Sequence, residues 1–547
     1  MVTLLPSPVG VPLSRALARV HLKPPNLPSS VSRSIPKLIE PLGKLPGFRR
    51  IASEIAINHY AYAAKPRPRP LTLQCSYTTW RGLTDRTWTG RHLPPVTDQS
   101  DLPSEAAVVD LFRRDTFLPS TDTSVMFMFF AQWFTDSFLR TSHTDYRRNT
   151  SNHEIDLCQI YGLSEAQTQL LRAHDGGRLK TQQIDGAEFP VYLFEPRQPG
   201  EPLTVKPEFE GLHDDRFLID VILGGASAEH ADHVFAVGLE HGNSTLGQTM
   251  MNVVFFREHN RIARLLEAEY PEWDDDRIFE TTRNVMIVLT LKLVVEQYIR
   301  HIAPFDFPVE TVPFLADGQL WNRSNWCAIE FDLLYRWHPL APDTIGVEVG
   351  AGEGADRLGP GDFINNNPLV LARGVESLMA QCSGARAGRI GLRNTARYLT
   401  DRSAAGNPSV EERTVSLMRE AKLRSYNDYR EAFSLPRLDD FDDLTSDHDL
   451  KGRLRELYGT IDDVEWYVGI FAEDYPDYCM MGELLTTMVA HDAFTQALTN
   501  PLLGRRIFNE KTFSPAGMQI IADTGSLRDI VTRNAVDPET VVVEFSC

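Results

Sequence analysis

A chain of 547 residues, of which 42% are hydrophobic and 24% charged, can bury a large core in one or several domains. Its net charge of −19 argues against nucleic acid as a partner, and no apolar run approaches the roughly 20 residues that a membrane-spanning helix needs. The six cysteines are scattered singly, which argues against a disulfide or zinc framework. Because the start of the chain shows no secretory signal pattern, we expect a cytoplasmic protein with reduced thiols.

The first 70 residues form a basic, proline-rich arm ahead of an acidic body. They carry a net charge of +9, and the remaining residues carry −28. Within the arm, residues 1–45 look loosely structured, and residues 46–64 predict a short amphipathic helix. A basic arm of this kind favours peripheral contact with an anionic membrane; the alternative is that its helix packs on the body. We place one boundary at residue 70 and a second domain over residues 71–547.

Apolar residues at helical spacing predict a mainly α-helical body. Helices are expected at roughly 105–118, 122–142, 244–268, 275–303, 409–432, 450–457, 462–472, 479–499 and 526–533. In the second of these, Gln132 and Asp136 are four residues apart, so they share one face of an otherwise apolar helix. Polar groups on such a face need partners, which are either each other or the lining of a pocket above a cofactor.

A tyrosine, Tyr335, precedes a histidine, His338, by three residues, or about one helical turn, so both side chains can leave the same face. Pro339 disfavours helical backbone in the residue before it, which places His338 at the end of a helix or in the bend after it. A neutral imidazole in such a place can ligate iron, and a nearby phenol can pass an electron and a proton to an oxidised metal centre. The alternative is a hydrogen-bonded core histidine.

Five segments, in one order along the chain, resemble the animal haem-peroxidase superfamily and, within it, the cyclooxygenase and fatty-acid dioxygenase branch. They are FMFFAQWFTDSFLRT, HEIDLCQIYG, FFREHNRIARLLEAEYPEWDDDRIFETTR, EFDLLYRWHPLAPDT and ELYGTIDDVEWY. The resemblance implies a mainly α, cyclooxygenase-like helical catalytic domain behind the basic arm. It also implies haem b, with its iron, as the cofactor, an unsaturated fatty acid and O₂ as substrates, a peroxide as activator, and a homodimer.

The resemblance also implies a role for each matched residue. His338 is the proximal ligand of the haem iron. Tyr335 is oxidised to a radical, which takes hydrogen from the fatty acid before O₂ adds to give a hydroperoxide or a prostaglandin-like product. Tyr298 hydrogen-bonds to the radical tyrosine, Tyr467 supports the proximal histidine through water, and Gln132 is the distal glutamine. The substrate channel is lined by Phe331, Leu334, Trp337 and Ala493.

The chain departs from the family on the distal side, where Asp136 replaces the acid–base histidine. We hypothesise that His241, alone or with Asp136, supplies the missing base; the alternative is that His241 is a solvent-facing residue in a turn. Two alternatives to an oxygenase stay open. One is a haem peroxidase acting on small donors or halide, against which the missing distal histidine argues, and the other is a haem-binding protein that has lost catalysis, which Asp136 keeps open.

The substrate end of the family pattern is also altered. The arginine that pairs with the fatty-acid carboxylate has no clear counterpart. Ala61 falls near that place, and Arg67 or Arg69 is the alternative, unless the acid enters by its tail. Ala493, or Thr495 if the match slips by two residues, stands where cyclooxygenases have the serine that aspirin acetylates. Simple oxygenation to a hydroperoxide is therefore favoured over prostaglandin chemistry.

Overall fold

A computed structural model describes residues 29–64, 71–198, 201–224, 226–323, 325–347, 356–403 and 406–547. Arg67, Arg69 and the domain boundary predicted at residue 70 lie outside the described residues. The longer helices are Ser29–Gly43, Arg49–Ala61, Glu105–Phe112, Val125–Thr135, Leu246–Glu269, Asp275–Leu293, Val375–Gly384, Val410–Glu420, His448–Tyr458, Glu483–Leu498, Glu510–Asp523 and Leu527–Asn534. The predicted mainly α-helical class is confirmed.

Strands are few and short in the described residues. They form four antiparallel pairs: Leu71–Thr72 with Gly90–Arg91, Pro119–Ser124 with Arg386–Gly388, Thr181–Ile184 with Ala187–Pro190, and Ile345–Val347 with Asp356–Leu358. None of these pairs is large enough to provide a core. The core is therefore built by helix packing.

The helix Leu246–Glu269 lies at the centre and is buried along most of its length. The Thr245 side chain begins it by accepting a hydrogen bond from the Gln248 N–H. The helix packs against Asp275–Leu293 and Val125–Thr135. Burial on all sides explains why its apolar residues are not confined to one stripe.

Two predicted helices have different limits in the structure. The first residues of the predicted helix 122–142 belong to the strand Pro119–Ser124, and the helix Val125–Thr135 begins after Ser124, whose hydroxyl accepts the Phe127 N–H. The predicted helix 275–303 is α-helical to Leu293 and then a π-helix over Val294–Tyr298. Such wide turns occur mostly at functional sites, and this one ends on Tyr298.

The N-terminal arm is more ordered than predicted, because Ser29–Gly43 is a helix rather than loose chain. The next helix, Arg49–Ala61, is largely buried and packs against Glu483–Leu498. This packing corresponds to the second of the two alternatives for that helix. Leu38, Leu45 and Phe48, just before it, are large apolar side chains exposed to solvent.

In the described part of the chain, no helix is both long enough and apolar enough to cross a bilayer.

Candidate functional site

His338 lies in the bend that Pro339 predicts. The helix Ile329–Leu334 ends before Tyr335, and His338 opens the 3₁₀ turn His338–Leu340. Because Tyr335 and His338 are not on one continuous helix, the expectation that they leave a shared helical face is wrong. The bend instead turns His338 toward a buried carboxylate on another helix.

That carboxylate is Glu411, in the first turn of Val410–Glu420. Its Oε2 lies 2.7 Å from Nδ1 of His338, and the Glu411 side chain is fully buried. With a carboxylate as acceptor, Nδ1 carries the proton and Nε2 keeps the lone pair that a metal needs. A histidine held in this way is the usual form of a metal-ligating imidazole. The residues present therefore fit a haem iron on Nε2 of His338.

Glu411 was missed by the sequence reasoning, which assigned the support of His338 to Tyr467. The Tyr467 hydroxyl donates to the backbone oxygen of Arg336 at 3.3 Å. Burial raises the pKa of Tyr467 well above its ordinary value, and the nearby Glu411 carboxylate raises it further. Tyr467 thus lies beside the His338–Glu411 pair. No spacing signal connects positions 338 and 411.

Tyr335 and Tyr298 are brought together from separate elements. Burial raises the pKa of both phenols, and a contact between the two hydroxyls acts on each pKa. Neither hydroxyl meets the geometry of an ordinary hydrogen bond to any described residue. Burial of the two hydroxyls therefore favours the protonated form of both phenols.

Aromatic rings enclose this tyrosine pair. The ring centroids of Tyr335 and Trp337 are 4.7 Å apart, and those of Tyr335 and Phe331 are 5.3 Å apart. Phe127 stacks on Tyr298 at 5.0 Å. The predicted channel residues are all buried: Phe331, Leu334, Trp337 and Ala493. The helix that carries Ala493, Glu483–Leu498, packs against Ile329–Leu334.

The predicted distal residues also converge. His241 Nε2 lies 3.3 Å from Asp136 Oδ2, and the Gln248 amide donates to the same oxygen at 2.5 Å. Gln132, one turn before Asp136, is exposed and accepts a hydrogen bond from the Thr245 hydroxyl at 3.2 Å. The start of Leu246–Glu269 thus meets the end of Val125–Thr135, and both predicted polar groups have partners on it.

The charge of His241 is set by two carboxylates. Burial lowers the pKa of His241, but Asp136 and Glu240 outweigh it and raise the pKa to about 9. Arg140 pairs with Glu240 at 2.8 Å. At neutral pH His241 is therefore an imidazolium. It lies in a turn, and its side chain is 26% exposed and faces Asp136 and Glu240.

The Asp136–His241 pair predicts a stability that depends on pH. Its contribution is fully present below the ordinary histidine pKa of 6.5 and is lost as the pH rises through about 9. The rise of the His241 pKa from 6.5 to about 9 corresponds to about 3 kcal/mol of stability at most. We expect Asp136→Asn to lower the free energy of urea unfolding more at pH 6 than at pH 9.5. The control, Asp523→Asn, removes a carboxylate bonded to Gln519; a pH-independent effect of Asp136→Asn would contradict the assignment.

A cavity lies beside the helices of the N-terminal arm. This cavity, of about 460 Å³, opens between the two arm helices and the start of Glu483–Leu498. Its lining includes Lys37, His59, Tyr60, Tyr478 and Thr486. Lys37 is the lysine among these lining residues. Ala61, which falls near the place of the family's carboxylate-binding arginine, is the residue after Tyr60. The volume falls in the range of pockets that hold small apolar ligands.

The chain resembles known proteins over most of its length. The model of the animal haem peroxidase family matches residues 140–544. Prostaglandin G/H synthase 2 of Gallus gallus is 30% identical over 475 residues, covering 84% of this chain and 72% of that protein. Prostaglandin G/H synthase 1 of Rattus norvegicus is 30% identical, with coverage of 86% and 74%.

Solved structures share the fold at lower identity. The fatty acid alpha-dioxygenase of Oryza sativa superposes with a TM-score of 0.69 at 16% identity, over 94% of this chain and 96% of that one. Peroxidase A of Dictyostelium discoideum gives a TM-score of 0.66 at 18% identity, over 87% and 100%. The family match spans well over half of the chain, and His338 with its buried carboxylate suits the cofactor of that family. The chain belongs to the animal haem peroxidase family, as an oxidoreductase whose cofactor is haem.

Proposed function

We propose that this protein is a haem-dependent fatty-acid dioxygenase in which Tyr335 carries the radical. The observation that supports this most strongly is the Tyr335–Tyr298 pair, whose two hydroxyls are buried among aromatic rings, with Tyr335 three residues from His338. A peroxidase that oxidises small donors at the haem edge has no need of such a pair. The kinship with prostaglandin G/H synthases and the shared fold of the alpha-dioxygenases agree with the proposal.

His338 would hold the haem iron through Nε2, and haem supplies the oxidising power that a peroxide generates. Tyr335 then gives up one electron and its proton, while the hydroxyl of Tyr298 lies in contact with the phenol oxygen. The resulting phenoxyl radical takes a hydrogen atom from a weak C–H bond of the fatty acid and becomes a phenol again. O₂ adds to the carbon radical, and the peroxyl radical recovers a hydrogen atom from Tyr335, which gives the hydroperoxide.

On the distal side, we assign the proton chemistry to Asp136 and His241 together. Because His241 is protonated at neutral pH, the proton acceptor of the pair is Asp136, and His241 returns a proton. Gln132, exposed one turn away, is placed to donate a hydrogen bond to a peroxide. We expect His241→Ala to slow the oxidation of the haem by peroxide about 10²–10⁴-fold.

The cavity beside the arm is the entry we propose for the fatty acid. Lys37 supplies the positive charge that a carboxylate needs, and the exposed Leu38, Leu45 and Phe48 lie on the same arm. These side chains favour peripheral contact with a membrane, from which an apolar substrate is drawn. The homodimer remains a prediction from the resemblance.

The test is O₂ uptake by haem-loaded protein with linoleate, oleate and arachidonate, started by a trace of hydroperoxide. We expect uptake with at least one acid, and weaker uptake with its methyl ester, which Lys37 cannot pair with. Peroxide consumption with a phenolic donor is measured in parallel. Rapid donor oxidation without fatty-acid-dependent uptake would show a peroxidase instead, and neither activity would show a haem protein that has lost catalysis.

A further inference from the structure

A second group of metal-binding side chains lies apart from His338 in the described structure. His92 follows the strand Gly90–Arg91, and His491 and Asp492 lie on the helix Glu483–Leu498. One ligand atom of each residue lies within 4.8 Å of the ligand atoms of the other two. His92 Nε2 is already 3.0 Å from Asp492 Oδ2. In a tetrahedral zinc site, neighbouring ligand atoms are about 3.3 Å apart, so small side-chain rotations close the group around an ion.

Both imidazoles are oriented by further contacts. The Nδ1 of His491 faces the backbone oxygen of Tyr60 at 3.2 Å, which places the proton on Nδ1 and the lone pair on Nε2. Phe433 contacts both imidazoles edge-on, with centroid distances of 5.3 Å to His92 and 5.5 Å to His491. Orientation of this kind is characteristic of metal ligands, because it fixes both the tautomer and the ring plane.

The backbone of His92 is fixed as well. Its N–H donates to both carboxylate oxygens of Glu330 at 3.1 Å, and the Tyr429 hydroxyl donates to the same fully buried carboxylate at 2.7 Å. Among the described residues, no lysine or arginine forms an ion pair with Glu330 or with Asp492. The one ion pair that either carboxylate makes among the described residues is that of Asp492 with His92, so a cation bound at Asp492 would offset charge buried at this place.

We propose that His92, His491 and Asp492 form a site for a divalent transition-metal ion, and that zinc is the ion bound. Two imidazoles and one carboxylate are donors that zinc accepts, with water in the fourth position. The His92 side chain is 20% exposed, which gives the ion a way in. The bound ion would link the segment after Gly90–Arg91 to the helix that carries Ala493. This structural role is separate from the proposed oxygenation.

The ion would also stiffen the surroundings of the tyrosine pair. The Asp492 carboxylate is near enough to Tyr335 to raise the pKa of that phenol beyond the effect of burial. Zinc would hold this carboxylate in place and offset its charge. The site is therefore structural, and binding of zinc would change the electrostatic environment of the Tyr335 phenol.

The experiment is zinc titration of the haem-loaded, full-length protein after chelator treatment, followed by metal analysis of the gel-filtered sample. We expect one zinc per chain and a higher midpoint of thermal unfolding. His491→Ala and Asp492→Asn should each weaken zinc binding more than about 100-fold, since loss of a supporting residue alone costs 10–100-fold. The control is His448→Ala, an exposed histidine beside Asp449, which should bind zinc like the wild type.

X-ray absorption at the zinc edge keeps the proposal testable if a variant fails to fold. The wild-type spectrum should show two imidazoles and oxygen donors at about 2.0–2.2 Å. Zinc that stays bound in His491→Ala, or a spectrum without two imidazoles, would overturn the site. So would a wild-type protein that binds no zinc, because a protonated His92 alone would then balance Asp492.

Discussion

Replacing Tyr335 with phenylalanine is expected to abolish fatty-acid-dependent O₂ uptake while the haem spectrum stays the same. The change removes one oxygen atom and keeps the ring that packs on Trp337 and Phe331. Because the Tyr335 hydroxyl makes no ordinary hydrogen bond to a described residue, its loss should cost little stability. The rate should fall at least about 10³-fold, equivalent to roughly 4 kcal/mol in the barrier, as measured with an oxygen electrode.

Tyr161→Phe is the matched control for Tyr335→Phe. Tyr161 is fully buried, and its hydroxyl contacts His259 Nδ1 at 2.9 Å. Its loss should lower stability and leave O₂ uptake intact. Tyr298→Phe should give an intermediate rate, because it removes only the hydroxyl that contacts the Tyr335 oxygen. Substantial uptake by Tyr335→Phe would show that hydrogen abstraction begins elsewhere.

Glu411→Gln is expected to raise the reduction potential of the haem and to slow its reaction with peroxide. The Glu411 carboxylate draws the Nδ1 proton of His338, which makes Nε2 a stronger donor to ferric iron. An amide keeps the shape but loses the charge. A 10–100-fold loss is typical for such supporting groups, which corresponds to about 60–120 mV for a one-electron couple. Spectroelectrochemical titration measures the potential without any turnover.

The neighbouring residue provides the control. Glu412 caps its own helix at Ser409 and pairs with Arg402, away from His338. Glu412→Gln should therefore lower the midpoint of thermal unfolding and leave the potential unchanged. Equal potentials in the wild type and Glu411→Gln would mean that the carboxylate does not govern the iron ligand.

Local patterns in the sequence were enough for much of the fold. Helical periodicity gave the central helices nearly complete, and Pro339 placed His338 in its bend. The helix limits were less accurate at Ser124 and Leu293, because strand pairing with residues 386–388 and the change to a π-helix depend on distant neighbours. The arm helix Ser29–Gly43 was missed because its prolines and charges outweighed its apolar spacing.

Some contacts of the candidate site could likewise be predicted from the sequence, and others could not. Asp136 and His241 were paired through resemblance, and the structure brings them together. Glu411 could not be found, because its contact with His338 spans 73 positions and only the tertiary fold creates it. The contact between His92 and Asp492 spans 400 positions, so it too could not be predicted from local sequence.

These long-range contacts also bear on how the protein is made. The helix Arg49–Ala61 leaves the ribosome long before the helix Glu483–Leu498, which supplies the surface that buries it. The contacts of Tyr60 with His491 and of His92 with Asp492 must wait equally long. Until then the nascent chain carries exposed apolar surface, which favours aggregation. The wall beside Tyr335 therefore cannot form until the helix Glu483–Leu498 has been synthesised.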